Sequence, residues 1–363
     1  MRLRRPVFYK EFHCISSACR DTCCAGWEIE VDEEAADRYE QVQGPFGERL
    51  RSMIGLEDEE HYFILQPGKR CPFLTEDNLC QMIQELGEEA LCDICREHPR
   101  FYQWFGDDTE VGLGLCCEEA GRLLFSRKEP LTFEVLEEGE ESQAEDPMIP
   151  ALVSARDRVF QIVQDRRYPL EARIRQMLLF VDELQECLAV ENAEGVLALA
   201  ERGPVPAAYA EQKTRVQIEE EILSLLEVYR DLESLDGTWP ERIEDLRNSL
   251  PQLLEKRDTF FRNCGDRLTA YEHLIVYFLY RYFMEAVFDG NLLAPVRFSA
   301  AGLLVVQLLD IRRWMSNGEF TFDDGIQTAK LFSKEVEYCP ENMELLSEKC
   351  MTESCFRNLS DLM

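Results

Sequence analysis

Apolar residues recur at three- and four-residue steps through the C-terminal part of the chain, the spacing that places them on one face of an α-helix. The clearest run extends from Leu170 to Leu188. Similar patterns, separated by glycine and proline, predict further helices over residues 150–166, 207–234, 241–263, 266–289, 297–315 and 322–338. We therefore expect this part of the chain to form a multi-helix domain, bundle-like or irregular.

The N-terminal part of the chain shows shorter and less regular patterns. Asp32 can cap a helix that continues to Gln43, where Gly44 and Pro45 would end it. Other short segments predict strands over residues 62–65 and 111–116 and helices over residues 88–98 and 118–125. Elements of this length do not bury a core by themselves, so we expect an irregular module that a metal organises. The fold class predicted for the whole chain is mainly α.

An acidic segment separates the two parts. Residues Glu134–Asp146 contain seven acids and no base, and two prolines follow closely. This composition is typical of a solvated linker or loop. We therefore expect a cysteine-rich module at residues 1–130, an acidic linker at residues 131–150 and a helical domain at residues 151–363.

The charge of the chain excludes some classes of partner. The formal net charge is −32, so the protein repels nucleic acid and anionic membrane surfaces, although the charge could also serve solubility alone. The most apolar window, Leu274–Val287, is interrupted by Arg281 and Glu285. This pattern predicts a buried helix. No run of about 18 apolar residues predicts a membrane span, and the first residues lack a signal-peptide pattern. We expect a cytoplasmic protein that is not inserted in a membrane.

Cysteine is concentrated in the N-terminal part, where ten of the fifteen cysteines lie between Cys14 and Cys117. Disulfides are disfavoured in a reducing compartment, and buried inert thiols would explain one or two of these residues but not ten. Thiolates bind zinc, Cu(I) and iron–sulfur clusters, so we expect a metal site. Only Cys92 and Cys95 have the C-x2-C spacing of zinc fingers, and no βαβ pattern surrounds them as in a thioredoxin-like redox motif. The spacing leaves zinc and iron–sulfur open.

Five segments, in this order, resemble the flagellin lysine-N-methylase family, which is related to a wider group of zinc- or iron-chelating cysteine-cluster proteins. They are CISSACRDTCCAGWEIEVD, CPFLTEDNLCQMIQELGEEALCDICREHPRFY, CCEEAGRLLF, YEHLIVYFLYRYFMEAVFDGN and FSKEVEYCPENMELL. The resemblance covers nearly the whole chain, and the combination of segments is more specific than any one of them.

The resemblance implies a methyltransferase that uses S-adenosylmethionine to modify lysines of flagellin and that contains a [4Fe–4S] cluster, with zinc as the alternative metal. The family cysteines fall on Cys14, Cys19, Cys23, Cys24, Cys71, Cys80, Cys95 and Cys117. Cys92 and Cys116 stand where the family pattern does not require cysteine. One cubane needs four thiolates, so some of the eight are structural or a second metal site exists.

Methyl transfer to lysine requires a group that takes the ammonium proton and a surface that holds the cationic sulfur of the cofactor. The helical segment at residues 271–291 mixes aromatic and charged groups among apolar ones, and residues 335–342 form a second polar cluster. The catalytic candidates are Tyr282, Glu285 and Asp289. The cofactor-binding candidates are Tyr280, Arg281, Glu337 and Asn342. A core helix with polar tips and a solvated face would explain the same residues.

Two observations leave a rival function open. The nearest thing to a nucleotide-binding glycine loop is Val111–Leu115, which we interpret as a tight strand in the metal module. S-adenosylmethionine would therefore need an unfamiliar pocket. The rival is a non-enzymatic metal-binding or metal-handling module whose helical domain docks a protein partner.

Overall fold

Helices dominate the computed structural model, which describes residues 2–20, 22–26, 29–137, 146–205, 213–235, 237–265 and 267–362. The few strands are short and lie in the N-terminal part of the chain. The predicted fold class, mainly α with a few short strands before a multi-helix domain, is therefore confirmed.

The strands form two small sheets. One has the order β5-β6-β1-β7, with β1 parallel to β6 and the other neighbours antiparallel. Its strands are β1 (Arg2–Pro6), β5 (Arg100–Phe105), β6 (Asp108–Leu113) and β7 (Phe133–Glu137). The other sheet has the order β2-β4-β3 and is antiparallel. Its strands are β2 (Glu30–Val31), β3 (Ile54–Glu57) and β4 (Glu60–Phe63).

Five short helices accompany these sheets: α1 (Glu33–Glu40), α2 (Gly44–Ser52), α3 (Gln81–Leu86), α4 (Asp93–Glu97) and α5 (Glu118–Phe125). Asp32 caps α1 as predicted, since its Oδ1 accepts the N–H of Ala35 at 2.8 Å. The prediction that Gly44 and Pro45 end this helix was wrong, because they begin α2, where proline suits the first turn. The helix predicted at residues 88–98 is a 3-10 turn and α4, separated by extended backbone at Leu91 and Cys92.

The C-terminal part of the chain is helical in every described segment of regular structure. Its helices are α6 (Met148–Val163), α7 (Leu170–Leu188), α8 (Ala193–Arg202), α9 (Arg215–Arg230), α10 (Trp239–Asn263), α11 (Arg267–Tyr282), α12 (Ala286–Asp289), α13 (Leu293–Asn317), α14 (Phe322–Phe332), α15 (Pro340–Thr352) and α16 (Ser354–Arg357). The sequence patterns predicted most of these and missed α8, α15 and α16. A π-helical turn at Ser333–Glu337 continues α14.

Helix α13 lies at the centre of this part and packs against α7, α10, α11, α14 and α15. Within the described residues it is the one helix long and apolar enough to cross a membrane, and 89% of its most apolar window is buried inside the protein. The window predicted to be the most apolar, Leu274–Val287, begins in α11 instead. A helix that is apolar all round, as α13 is, fits a position with neighbours on every side.

Part of the predicted acidic linker belongs to the first sheet. Strand β7 pairs with the whole length of β1, and the Phe133 ring stacks on Tyr280 with centroids 4.4 Å apart. Helix α6 begins at Met148, inside the other end of the predicted linker. Residues 138–145 lie outside the described part of the chain. The backbone of β7 supplies the hydrogen bonds of this pairing, and Phe133 packs against the larger core, whereas Val135 is exposed.

The described residues form two hydrophobic cores. The larger core joins the helical part to the first sheet and α5, through side chains such as Phe105, Leu113 and Leu123. The smaller core lies within residues 29–92 and includes Tyr39 and Phe73. Residues on both sides of position 130 thus share one core, because the first sheet needs the helices to cover its apolar face.

Candidate metal centre and neighbouring polar cluster

All ten N-terminal cysteines line one cavity of about 340 Å³. They are the eight that the family resemblance indicates, together with Cys92 and Cys116. Side chains of both cores take part in the lining, with Phe12 from the larger core and Tyr39 from the smaller one. The cavity therefore lies where the two cores meet. The other five cysteines are not among its lining residues.

The loop that carries Cys14, Cys19, Cys23 and Cys24 is fixed to both cores. On one side, the N–H of Cys71 donates to the carbonyl of Cys24 at 2.8 Å. On the other side, the backbone N–H of Arg20 donates to Glu118 Oε2 at 3.3 Å. Glu118 opens α5 directly after Cys117, so the loop spans the cavity from the smaller core to this helix.

The cysteines near the smaller core are held by short regular elements. Cys80 forms an isolated β-bridge with Leu74 and directly precedes α3. Cys92 precedes α4 and Cys95 lies within it, so both reach the cavity from the same turn. Cys92 is fully buried. The short elements therefore bring together thiols that lie up to 71 residues apart in sequence, between Cys24 and Cys95.

Some thiols of this cavity are poorly solvated, whereas Cys14 and Cys23 are exposed. Burial is the main cause that raises the pKa of Cys71 to about 12 and the pKa of Cys117 to about 11. Such thiols keep their protons at neutral pH unless a cation takes the place of the proton. The donor set therefore suits a soft metal that stabilises several buried thiolates at once.

The sulfur atoms are spread more widely than one zinc ion requires. A tetrahedral zinc ion with four thiolates holds their sulfur atoms about 3.8 Å apart. Within the described residues, the one trio of possible ligand residues with atoms within 4.8 Å of one another is Glu233, Cys339 and Glu341, and none of these three lines the cavity. The cysteine arrangement fits a group larger than a single ion.

A buried polar cluster contains three of the sequence candidates, Arg281, Tyr282 and Glu337. Oε1 of Glu337 accepts hydrogen bonds from Tyr277 at 2.9 Å, from Tyr282 at 2.8 Å and from Arg281 at 3.2 Å. Oε2 of Glu337 is buried and has no hydrogen-bond partner among the described residues. Tyr277 was not a candidate, although its position one helical turn before Arg281 was a usable signal.

Cys116 connects this polar cluster to the cysteine cavity. Its Sγ lies 3.8 Å from Nε2 of His98. Burial raises the pKa of Cys116 to about 12, against the opposing effects of a hydrogen bond to Tyr338 and the charge of Arg281. The guanidinium of Arg281 lies over the ring of Tyr338, 5.0 Å from its centroid. The polar cluster therefore stands directly behind the cavity wall.

Two glycines allow this close packing. A Cβ at Gly114 would lie 2.0 Å from Oη of Tyr338, and a Cβ at Gly112 would lie 2.2 Å from the ring of Phe101. These glycines belong to the Val111–Leu115 segment, whose first three residues end β6. The segment thus has the strand conformation at its start, and its two glycines leave room for the side chains of Tyr338 and Phe101.

The other candidates lie elsewhere. Tyr280 donates to the carbonyl of Arg4 at 2.8 Å. Asn342 exchanges hydrogen bonds with the backbone of Glu233, at 2.8 and 2.9 Å. Both side chains tie separate segments together. Glu285 and Asp289 follow α11 and are exposed.

Glu285 lines a second, open cavity of about 240 Å³ together with Tyr282. Although the residue is exposed overall, desolvation of its carboxyl and the nearby Asp289 raise its pKa to about 7. Tyr282 is thus shared, since its hydroxyl joins the polar cluster and its ring lines this cavity.

A family model described as the FliB lysine N-methylase C-terminal domain matches residues 156–363. Lysine-N-methylases of Salmonella typhimurium (strain LT2) and Salmonella choleraesuis (strain SC-B67) are each 24% identical to this chain over 234 residues, which is 61% of the chain and 56% of each relative. The flagellar biosynthetic protein FliU of Salmonella muenchen is 31% identical over 120 residues, 31% of the chain and 71% of FliU. No solved structure matches.

The match to the family model covers only part of the candidate site. The family model covers the polar cluster and the Glu285 cavity, and the cysteines at positions 14–117 precede the matched range. The chain spans 56% of the length of the lysine-N-methylases that it matches.

Proposed function

The chain belongs to the FliB lysine N-methylase family, and from this premise we propose that it is a protein lysine methyltransferase. The finer proposal is that S-adenosylmethionine supplies the methyl group and that flagellin is the substrate. The flagellar name of the FliU relative supports that substrate. The net charge of −32 also suits a substrate that presents lysines. We propose that the protein acts in the cytoplasm.

We propose that the methyl acceptor enters the open cavity at Tyr282 and Glu285. The observation that carries this proposal is the position of the Glu285 carboxyl at the wall of this cavity, where desolvation and the nearby Asp289 raise its pKa to about 7. A lysine must lose its ammonium proton before it attacks a methyl group, and a carboxylate with a pKa near the working pH is a suitable proton acceptor. The Tyr282 hydroxyl donates to Glu337 behind the cavity, and Glu337 is in turn paired with Arg281, which fixes this wall of the cavity.

The second proposed component is an iron–sulfur cluster in the cysteine cavity, with zinc as the alternative. Cys14, Cys19, Cys23, Cys24, Cys71, Cys80, Cys95 and Cys117 would hold it. The raised pKa values of the buried thiols and the wide spacing of the sulfur atoms support a multinuclear group. When bound, it would supply a thiolate cross-link between the two cores and thereby organise the site, while Tyr282 and Glu285 bind and deprotonate the lysine.

A methylation assay tests the activity. Purified holoprotein, flagellin monomers and S-adenosylmethionine labelled in its methyl group should give label on flagellin lysines. Heat-denatured protein and flagellin with chemically dimethylated lysines are the controls. Absence of label with metal-replete protein would contradict the enzyme proposal. Isothermal titration with S-adenosylmethionine then distinguishes the enzyme from the rival function, because a non-enzymatic metal-handling module should not bind the cofactor.

A further inference from the structure

Strand β5 forms one edge of the first sheet and carries two aromatic side chains that lie in solvent. Within the described part of the chain, β5 pairs with β6 alone, so its other edge has no partner strand. The side chains are Trp104, which is 64% exposed, and Tyr102, which is 37% exposed. The free N–H and C=O groups of such an edge allow an extended peptide to add as a further strand.

The two aromatic rings form one continuous surface. Trp104 and Tyr102 lie two positions apart in β5, which places them on the same face of the sheet. Their rings stack with centroids 5.9 Å apart and planes 11° apart. The Tyr102 hydroxyl donates to Oε2 of Glu97 at 2.7 Å, and Glu97 also pairs with Arg96 at 3.5 Å. These contacts hold the Tyr102 ring in place, so the surface is largely formed before a partner binds.

The chemistry of this surface suits a cationic side chain. The faces of tryptophan and tyrosine rings attract an ammonium or guanidinium group. Arg100, the basic residue on the same face of β5, lies over the rings of Tyr9 and Phe12 instead, at 5.9 and 5.4 Å from their centroids. The net charge of −32 attracts a lysine-bearing partner and repels a second copy of this chain.

Strand β5 also contacts the helix that leads to the open cavity at Glu285. Gln103, which lies between the two aromatic residues, donates its side-chain N–H to the carbonyl of Arg281. Arg281 directly precedes Tyr282, and both Tyr282 and Glu285 line the cavity. The aromatic surface and the cavity wall are thus joined through one side-chain hydrogen bond.

We propose that the free edge of β5, with Trp104 and Tyr102, docks an extended, lysine-bearing segment of the protein substrate. This inference rests on the proposed function, because the docked segment flanks the lysine that enters the cavity. The backbone of the segment pairs with β5, and one of its lysine side chains lies over the two rings. Strand pairing supplies affinity for any extended segment, and the aromatic surface selects the lysine.

Binding to short labelled peptides tests this surface without any methyl transfer. Fluorescence anisotropy is measured with a peptide of alternating lysine and threonine, with its glutamate–threonine counterpart, and with the lysine peptide N-methylated along its backbone. The proteins are the full-length parent, Trp104→Ala and Tyr102→Ala. Tyr168→Ala is the matched control, because Tyr168 is 54% exposed and precedes α7, away from β5 in sequence.

The parent should bind the lysine peptide and not the glutamate peptide. W104A and Y102A should weaken this binding about tenfold, since each removes one ring under the ammonium, and Y168A should keep the parent affinity. N-methylation should abolish binding, because it removes the N–H donors that strand pairing needs. Circular dichroism checks that each variant is folded.

Several results would overturn the proposal. They are equal affinity of W104A and the parent, equal binding of the glutamate peptide, and full binding of the N-methylated peptide. A dimer of the parent that W104A converts to a monomer in light scattering would assign the edge to a second copy and would also overturn it.

Methylation kinetics distinguish a failure of this inference from a failure of the proposed function. W104A should raise the KM for flagellin about tenfold, with a smaller change in kcat, and Y168A should match the parent. An unchanged KM in an active W104A variant would overturn the docking surface alone. If the parent methylates no lysine, the proposed function fails, and the peptide measurements still decide whether β5 docks a lysine-bearing segment.

Discussion

At the scale of single residues, the carboxyl of Glu285 has the property that most directly connects structure to chemistry. It lines an open cavity, and its environment favours the neutral acid. The ionised form, which accepts a proton, therefore dominates only above a pH of about 7. Ordinary carboxyls complete this change about three pH units lower.

We therefore expect Glu285→Gln to lower methylation about a hundredfold, the usual size of a general-base contribution. The parent rate should rise as pH passes through about 7, since Glu285 then ionises, and the variant should lack this rise. The measurement is the pH profile of kcat/KM. Glu344→Gln is the matched control, because it removes a charge from the same cavity. If the variant keeps the parent profile, Glu285 is not the proton acceptor.

At the scale of elements, one carboxylate caps two helices. Oδ1 of Asp32 accepts the N–H of Ala35 in α1, and Oδ2 accepts the N–H of Asp93 in α4 at 2.7 Å. Helix α4 carries Cys95 and follows Cys92. The cap therefore positions two thiols as well as beginning a helix.

Asp32→Ala should reduce stability by about 1–2 kcal/mol, the usual cost of a lost helix cap. Although desolvation opposes it, the hydrogen bonds from Asp93 and Ala35 lower the pKa of Asp32. A lowered folded-state pKa gives stability that is full above the unfolded value near 4 and is lost as pH falls through the folded value. Urea denaturation at pH 7 and pH 3 measures both effects. The difference between parent and variant should shrink at pH 3, and Glu33→Ala should show no such change.

The end of β6 shows how an element depends on a missing side chain. A methyl group at Gly114 would collide with Oη of Tyr338 and crowd the carbonyl of Pro99 at 3.3 Å. Tyr338 lies beside Arg281, so the collision reaches the polar cluster.

Gly114→Ala should therefore destabilise the protein by about 1–3 kcal/mol, as overpacking of a dense interior does. Gly265→Ala is the matched control, since the nearest atom to its added methyl would be 3.9 Å away. Thermal unfolding of the two variants provides the comparison. Equal melting temperatures would show that Tyr338 moves aside without cost.

At the scale of the whole molecule, the two cores meet at the cysteine cavity. The smaller core is built from short elements within residues 29–92, and the larger one contains the long helices. A small core buries too little apolar surface for high stability by itself, so the metal cross-link that we propose at its edge would stabilise this core most.

Removal of the proposed metal by a chelator under anaerobic conditions should unfold the smaller core and leave the helical part folded. Hydrogen exchange read by peptide mass spectrometry is the measurement. Peptides from residues 29–95 should lose protection, and peptides from α11 and α13 should keep it. Uniform loss of protection over both cores would contradict this view, and re-addition of metal should restore the original pattern.

Much of the element content followed from the sequence by itself. Helical periodicity, the Asp32 cap and the glycine and proline positions depend on hydrogen bonds and side chains within a few residues. They can therefore be predicted from the local sequence. The concentration of cysteines likewise indicated thiolate chemistry. The local patterns predicted α5 at its observed bounds and most of the long helices.

Other features were decided only by the tertiary structure. Strand β7 was interpreted as linker because its acidic composition was visible and its partner β1, more than a hundred residues away, was not. The ion pair of Arg281 with Glu337 joins residues 56 positions apart, and the ten N-terminal cysteines meet in one cavity because the two cores approach each other there. Burial and desolvation arise from contacts between distant segments. The sequence therefore determined which residue types were available, and packing decided which of them meet.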